Sequence, residues 1–522
     1  MIKWYLLAVA LFLNMATCDA QGDDYVTVTP RTKRVGTNLM TNAPIMVVEY
    51  GVRDRIERVE VDTLNECLTV QIRGLSKNGK WLDNKGHVLR YSNKEQRVLW
   101  SLKIGYQMES IEQFGEVILH SSLGKSYRLD NATGERIWEA KNSLIFADPA
   151  SGIGFGYALA TVTKSQNTLI GYDLMTGNMI WHREISREFS WNDVLYLNDS
   201  TILIVAAGLH AVNIHDGTGW DHHAVSGAKD YTAAAVGTGL GVVAGLLTGT
   251  YAVNTGHDLV RDLVSNVIID SLSIYFASKE FIAKLDHKGQ VLWKTALPSE
   301  MTSKSAIIVS GEDLLMINSG SAYMGYRRLD YGAPFIASFR TSDGEQNYLA
   351  VTSSEGKDHI VAQQLGKDYL SIMTTDRVTK RSTKDGSVIL EKRIDPGNSG
   401  ELVLFVGDRV FLGRDSMHTS LSVYDSSKHY LYTQSGKIKI LNSEFDVEGE
   451  LTPADYWIYQ GTRRGLRFIA QNDRTIALDL AGRSVAEISA SRRSSFIGDK
   501  LYCIGDSAFL EIDLAELLNS SP

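Results

Sequence analysis

The sequence predicts an all-β chain organised as a β-propeller, a succession of four-stranded blades numbering eight, within a range of seven to nine. Three observations carry that prediction: a turn signature repeated at fixed offsets, short apolar strands between turn residues, and 45 Gly against 8 Pro in 522 residues. Such a composition suits many tight turns between short strands. Units recurring every ~40–50 residues have the length of a four-stranded blade.

The signature is clearest in two segments, where Asp130, Thr133, Gly134 and Trp138 match Asp173, Thr176, Gly177 and Trp181 position for position. Each residue type has a physical reason. An apolar strand runs into an Asp whose carboxylate can cap a turn, the Gly accepts positive φ, and the return strand ends on a Trp able to fill the groove beside a neighbouring blade. Weaker copies follow: Asp286, Gly289 and Trp293 form a turn one residue shorter, Asp216, Thr218, Gly219 and Trp220 a shortened return strand, and Val98-Leu99-Trp100 only the end of the motif. Further on the Trp is lost. Asp343-Gly344 leads to Tyr348, Asp385-Gly386 to Leu390, Ser435-Gly436 to Ile440, and Ala481-Gly482 to Ala486. Upstream of most copies lies another β-rich pair, as in 267–276 or 408–412. Stacked sandwich domains would explain the strands but not turns and tryptophans at fixed offsets.

This Asp, Thr-Gly, Trp pattern resembles the repeat of the quinoprotein-like propellers. The resemblance spans about Leu64 to Leu514, specific in the first half and diffuse in the second. That family holds pyrroloquinoline quinone dehydrogenases and cofactor-free relatives that serve outer-membrane protein assembly, and the cofactor-free branch is the one the chain resembles. The dehydrogenase branch implies vicinal cysteines, a Ca²⁺ site and an Asp base. No two cysteines are adjacent here, and the signature Asp residues already have a repeated turn role, whereas catalysis needs one special constellation. No catalytic residue and no cofactor are therefore assigned.

The expected organisation is a signal peptide at 1–20, a lead-in segment at 21–63, the propeller at 64–514 with an insert at 223–262, and a tail at 515–522. Residues 1–20 read as a basic start, an apolar run too short to span a bilayer, and small residues up to Ala20, which together predict export. A lipid anchor at Cys18 is the lesser reading, because Met15-Ala16-Thr17 lacks the usual flanking residues. Cleavage after Ala20 leaves Cys67 and Cys503, near opposite ends, as candidates for a disulfide or as two buried thiols.

The net charge of −8 and the scatter of basic residues exclude a nucleic-acid face. His210, His215, His222 and His223 cluster around Asp216 and Asp221 and are weak candidates for Zn²⁺ or Cu²⁺ ligation. An odd spacing places His210 and His215 on opposite faces of a regular strand, so a solvated strand-and-loop surface is the reading preferred over a metal site. Trp191 and Trp457 would serve a glycan-binding face. Between residues 232 and 253 no charge occurs, and Gly237, Gly241, Gly245 and Gly249 recur every fourth residue, extended backwards by Ala233. On a helix these small residues form one stripe fit for a partner or for peripheral membrane contact; a Gly-rich element packed over one propeller face is the competing reading. The expected function is a non-catalytic envelope scaffold with protein partners. A quinone-dependent oxidoreductase and a glycan- or small-ligand-binding propeller are the rival classes.

Overall fold

The structure is a computed structural model that describes residues 26–518, apart from 78–81, 158–166, 186–192, 225–262, 354–357, 394–402, 405–408, 412–417, 421–427, 433–436, 452–457, 490–493 and some single positions and pairs. The signal peptide, Cys18, the Gly237 to Gly249 stripe, Ser435-Gly436, Gly482, Trp191 and Trp457 lie outside the described residues.

Four-stranded antiparallel sheets follow one another along the chain, at 55–105, 109–140, 146–184, 193–223, 268–296, 305–351, 362–393 and 403–451. Their burial follows from sequence. Second strands such as Thr201–Ala206 and Ser273–Ala277 are almost continuously apolar and buried, as a strand covered on both faces must be. Fourth strands such as Val291–Ala296 end their sheets and bury little beyond the Trp. Two sheets carry an extra hairpin, Ser321–Met324 with Arg327–Asp330 and Arg409–Phe411 with His418–Ser420. Of the apolar run at 408–412, the described residues Arg409–Phe411 thus belong to an appended hairpin, not to a blade strand.

The last sheet joins the two ends of the described chain. It holds the four strands of 458–489, then Val26–Asn38 and Pro44–Val52, then the three strands of 494–513 in reverse order. Pro44–Val52 pairs with Ala508–Asp513, with Tyr50 opposite Phe509, and so supplies the missing fourth strand of the C-terminal meander. The motif end at Trp100 does not supply this strand. Trp100 instead lies on Arg97–Gly105, the fourth strand of a sheet begun by Arg55–Asp62. Residues 26–62, expected as a lead-in, are therefore sheet strands. Counted with 458–489 and the closed C-terminal meander, the described residues contain ten four-stranded units, against the eight, within a range of seven to nine, that the repeat predicts.

The closure is chemically specific. Tyr50 stacks on Phe509 at 4.5 Å, and the hydroxyls of Tyr50 and Tyr502 donate to Glu511 Oε2 at 3.1 and 3.0 Å. Lys500 Nζ donates to Glu511 Oε1 at 2.5 Å. Burial, reinforced by the Glu511 charge, pushes both phenols above their ordinary range. Gly36, on the strand that joins the two meanders, pairs with Ile488, and a Cβ there would meet Glu487 O at 2.0 Å.

The described residues fall into two compact units, 1–159 with 170–180 and 457–522, and 160–169 with 181–456. The first contains the joined sheet and a core around Tyr50, Leu68, Leu89 and Phe509. The second contains one core around Phe276, Phe281 and Leu285 and another around Trp293, Met316 and Phe339.

One late blade shows how the packing tolerates loss of the signature. In the sheet 403–451 the position of the turn Gly is taken by Phe445, buried and held at φ 61. Leu390, which stands where a Trp would, packs on the cluster that contains Phe445. The large-over-small pairing of Trp and Gly is here reversed. Phe445→Gly should relieve backbone strain yet lower stability by about 3 kcal/mol through loss of the buried ring. Adding Leu390→Trp should recover part of that loss, and a double-mutant cycle by urea unfolding reads the coupling.

Candidate functional site

The signature residues occupy the turn between third and fourth strands. Asp130 Oδ1 accepts from the backbone N–H of Ala132 and Thr133, at 2.9 and 2.8 Å, and from the Thr133 hydroxyl at 3.1 Å. Asp173 Oδ1 does the same for Met175 and Thr176, both at 2.8 Å. The N–H of Thr176, ahead of other donors, holds the Asp173 carboxyl below its ordinary value. At Asp130 burial opposes the shift, but the Thr133 and Ala132 donors overcome it. Each carboxylate is spent on its own turn, as the sequence predicts.

The tryptophans link consecutive turns. Trp138 donates from Nε1 to Leu174 O at 3.0 Å, and a Cβ on Gly177, at φ 72, would meet the Trp138 ring at 2.5 Å. The same bond joins Trp100 to Asn131 O at 3.1 Å, Trp181 to Ile214 O at 2.7 Å, Trp220 to His287 O at 2.9 Å and Trp293 to Thr341 O at 2.9 Å. Gly therefore serves two needs at once, positive φ and room for the preceding indole. Tyr348 packs on Gly386 in the same way but without the indole bond.

Several turns depart from the expected register. In the sheet 193–223 the capping residue is Asn213, whose Oδ1 accepts from His215 N at 2.9 Å, and the Gly under Trp181 is Gly217, not Gly219. Asp216 instead binds the Thr218 hydroxyl at 2.6 Å. Arg340 and Ser382 stand four residues before Gly344 and Gly386, where Asp130 stands before Gly134. Ile440 lies on the third strand of its sheet rather than the fourth, and the turn that follows is 442–446. Asn and Ser cap turns much as Asp does, so the turn persists where the Asp of the signature is absent.

The histidines separate. His210 pairs across the sheet with Asp221, and Leu209 with His222, so His210 and His222 face opposite sides. His210 is buried, contrary to the solvated surface expected, and its Nδ1 lies 2.7 Å from Asp221 Oδ1. Arg183 holds the same oxygen at 2.7 Å. Burial works against ionisation of Asp221, yet the His210 and Arg183 bonds lower its pKa to about 2. His222 stacks edge-on against Phe276 at 5.3 Å, while His215 is exposed in the turn. Among the described residues no three His, Cys, Asp or Glu side chains are grouped to hold a metal ion.

Another imidazole that sequence did not single out is buried. His429 Nδ1 lies 2.9 Å from Gln364 Oε1, and the ring packs on Phe445 at 4.9 Å. Burial, with repulsion from Lys380, lowers its pKa to about 4. The unfolded chain then takes up a proton near pH 6.5 that the folded chain refuses until about pH 4. Stability should be complete above pH 6.5 and fall as pH drops towards 4, by on the order of 3 kcal/mol, with the loss absent in His429→Gln. Urea midpoints between pH 7.5 and 4 check this.

Cys67 and Cys503 are both buried and unbridged. Cys67 Sγ donates to Asn65 O at 3.2 Å, and burial pushes the Cys503 thiol up to about 12. Among the described residues no helix is long and apolar enough to cross a membrane.

Comparison with known proteins fits this repeat. The family model described as outer membrane protein assembly factor BamB matches residues 79–230 and 124–330, two overlapping placements in the half where the signature is strongest. No curated protein matches the chain. Solved structures similar to it include BamB from Moraxella catarrhalis, at 13% identity over 77% of this chain and 96% of that one, with a TM-score of 0.34. The computationally designed Ika8 protein is similar at 10% identity, 75% and 97% coverage and a TM-score of 0.30. Hsv2 from Kluyvelomyces marxianus is similar at 6% identity, 76% and 99% coverage and a TM-score of 0.30. At such scores the fold rests on the strand registers and the repeat rather than on these likenesses.

Proposed function

We propose that this chain, which belongs to the PQQ-like-repeat β-propeller family, is a non-catalytic scaffold of the cell envelope that holds protein partners. The observation that carries the reading is the use made of the signature: the best-formed Asp residues cap their own turns and the Trp residues bind the next turn. A repeat consumed in this way builds a rigid frame, and propellers present binding surfaces on the loops and edges of such frames. The name of the matched family, an outer-membrane assembly factor, supports envelope proteins as the partner class. The apolar start at 1–20 supports export.

The test is affinity capture of the tagged full-length chain from envelope extracts, with quantitative mass spectrometry, beside a form lacking 233–252. One or a few envelope proteins retained in near-stoichiometric amount are expected. Dye-linked alcohol oxidation by the purified chain supplied with pyrroloquinoline quinone and Ca²⁺ would instead make it an enzyme. The deletion decides whether the uncharged insert is a contact: unchanged partners and unchanged soluble partitioning remove that role.

A further inference from the structure

The repeat supplies an internal comparison at the outer edges of the sheets. Three residues after the Gly of the repeated sequence signature, on the fourth strand, stand Ile137, Ile180, Leu292, Ile389 and Val485. The first four are 48%, 44%, 53% and 56% exposed, on strands that end their sheets among the described residues. Val485 is 8% exposed. The difference has a visible cause: Val485 lies on Ser484–Ser489, the fourth strand to which the chain's own Val26–Asn38 has been added. Leu39 N donates to Val485 O at 2.7 Å, and Val35 and Val485 share one core cluster.

From this we infer that the edge strand Val291–Ala296 accepts an extended, strand-forming segment of a partner protein with aliphatic side chains at alternate positions, as Ser484–Ser489 accepts Val26–Asn38. The edge presents backbone donors and acceptors, and Val291 and Leu292 are both exposed beside it. Main-chain bonds supply affinity in strand addition, and side-chain burial supplies selectivity. The inference rests on the scaffold reading and names one of its contact surfaces.

The probe is a fluorescein-labelled peptide of residues 33–40, the segment seated on Val485, titrated into the full-length chain by anisotropy, with hydrogen exchange read by mass spectrometry. Expected are saturable binding, slower exchange confined to 291–296, loss of binding when alternate peptide nitrogens are methylated, and affinity weakened about tenfold by Leu292→Lys. Leu292 is exposed, so the variant keeps its fold, checked by an unchanged urea midpoint. Equal binding by the methylated peptide, an unaffected Leu292→Lys, or faster exchange in 26–38, which marks displacement of the N-terminal strand, would each overturn it. So would concentration-dependent self-association through this edge without peptide binding. Captured envelope partners retained fully by Leu292→Lys would overturn this edge alone and leave the scaffold reading intact; peptide binding without any captured partner would do the reverse.

Discussion

Trp100→Ala should cost about 3–5 kcal/mol of unfolding free energy, the range for removing a fully buried large aromatic. Trp100 is 2% exposed, its ring covers Gly134, and its Nε1 bonds Asn131 O. Removing it opens a cavity beneath the next turn and frees that carbonyl. Trp100→Phe should retain more than half of the lost stability by filling most of the space without the hydrogen bond. Trp138, only half-buried, should cost less on truncation than Trp100, so the order of the two tests the role of burial. Were the tryptophans displayed for a ligand, truncation would leave the urea midpoint unmoved and affect binding alone.

Asp62→Ala should be comparably damaging, at about 3–5 kcal/mol, because it strands a buried guanidinium. Arg90 and Asp62 form an ion pair at 0% and 2% side-chain exposure. Asp62 also accepts from Asn65 N at 3.0 Å and Asn65 Nδ2 at 2.7 Å, while Arg90 Nη1 donates to Thr69 Oγ1 at 2.9 Å. The pair binds the first strand of its sheet to the third. Replacing both partners with apolar residues, as in Asp62→Leu with Arg90→Met, should recover most of the loss, since desolvation of the pair offsets much of its attraction. Guanidinium unfolding of the three variants measures this; a single variant as stable as the parent would show that the pair is open to solvent.

Much of the blade was legible because local chemistry decided it. Asp130, Thr133, Gly134, Asp173, Thr176, Gly177, Asp286 and Gly289 all sit in the turns assigned to them, and Trp138, Trp181 and Trp293 reach the neighbouring turn. What escaped were substitutions that preserve geometry while changing letters. Asn213 and Ser382 cap as Asp does, and Phe445 fills from the turn side the space that a Trp fills from the strand side. Pairing between distant segments escaped for another reason: nothing in Pro44–Val52 names Ala508–Asp513 as its neighbour. Nor does the sequence show that Arg183, from another sheet, meets Asp221 beside the buried His210. The interaction surface was not legible at all, because an exposed Leu292 and a buried Val485 look alike in sequence and differ only in what lies beside them.

The chain is a succession of four-stranded sheets, the last of which is completed by its own N-terminal strand. Gly51 faces Ala508, and Val52 N donates to Ser507 O at 2.7 Å, which leaves Gly51 and Ala508 as the close, non-hydrogen-bonded pair, with Cα atoms ~4.5 Å apart in regular sheet. The decisive measurement is oxidation of the full-length Gly51→Cys, Ala508→Cys variant under native conditions, followed by peptide mass spectrometry. A 51–508 disulfide is expected in nearly all molecules, formed without loss of structure and with a raised unfolding midpoint, if this strand closes the sheet. Native protein in which the two thiols stay free, or link to any other cysteine, would contradict it.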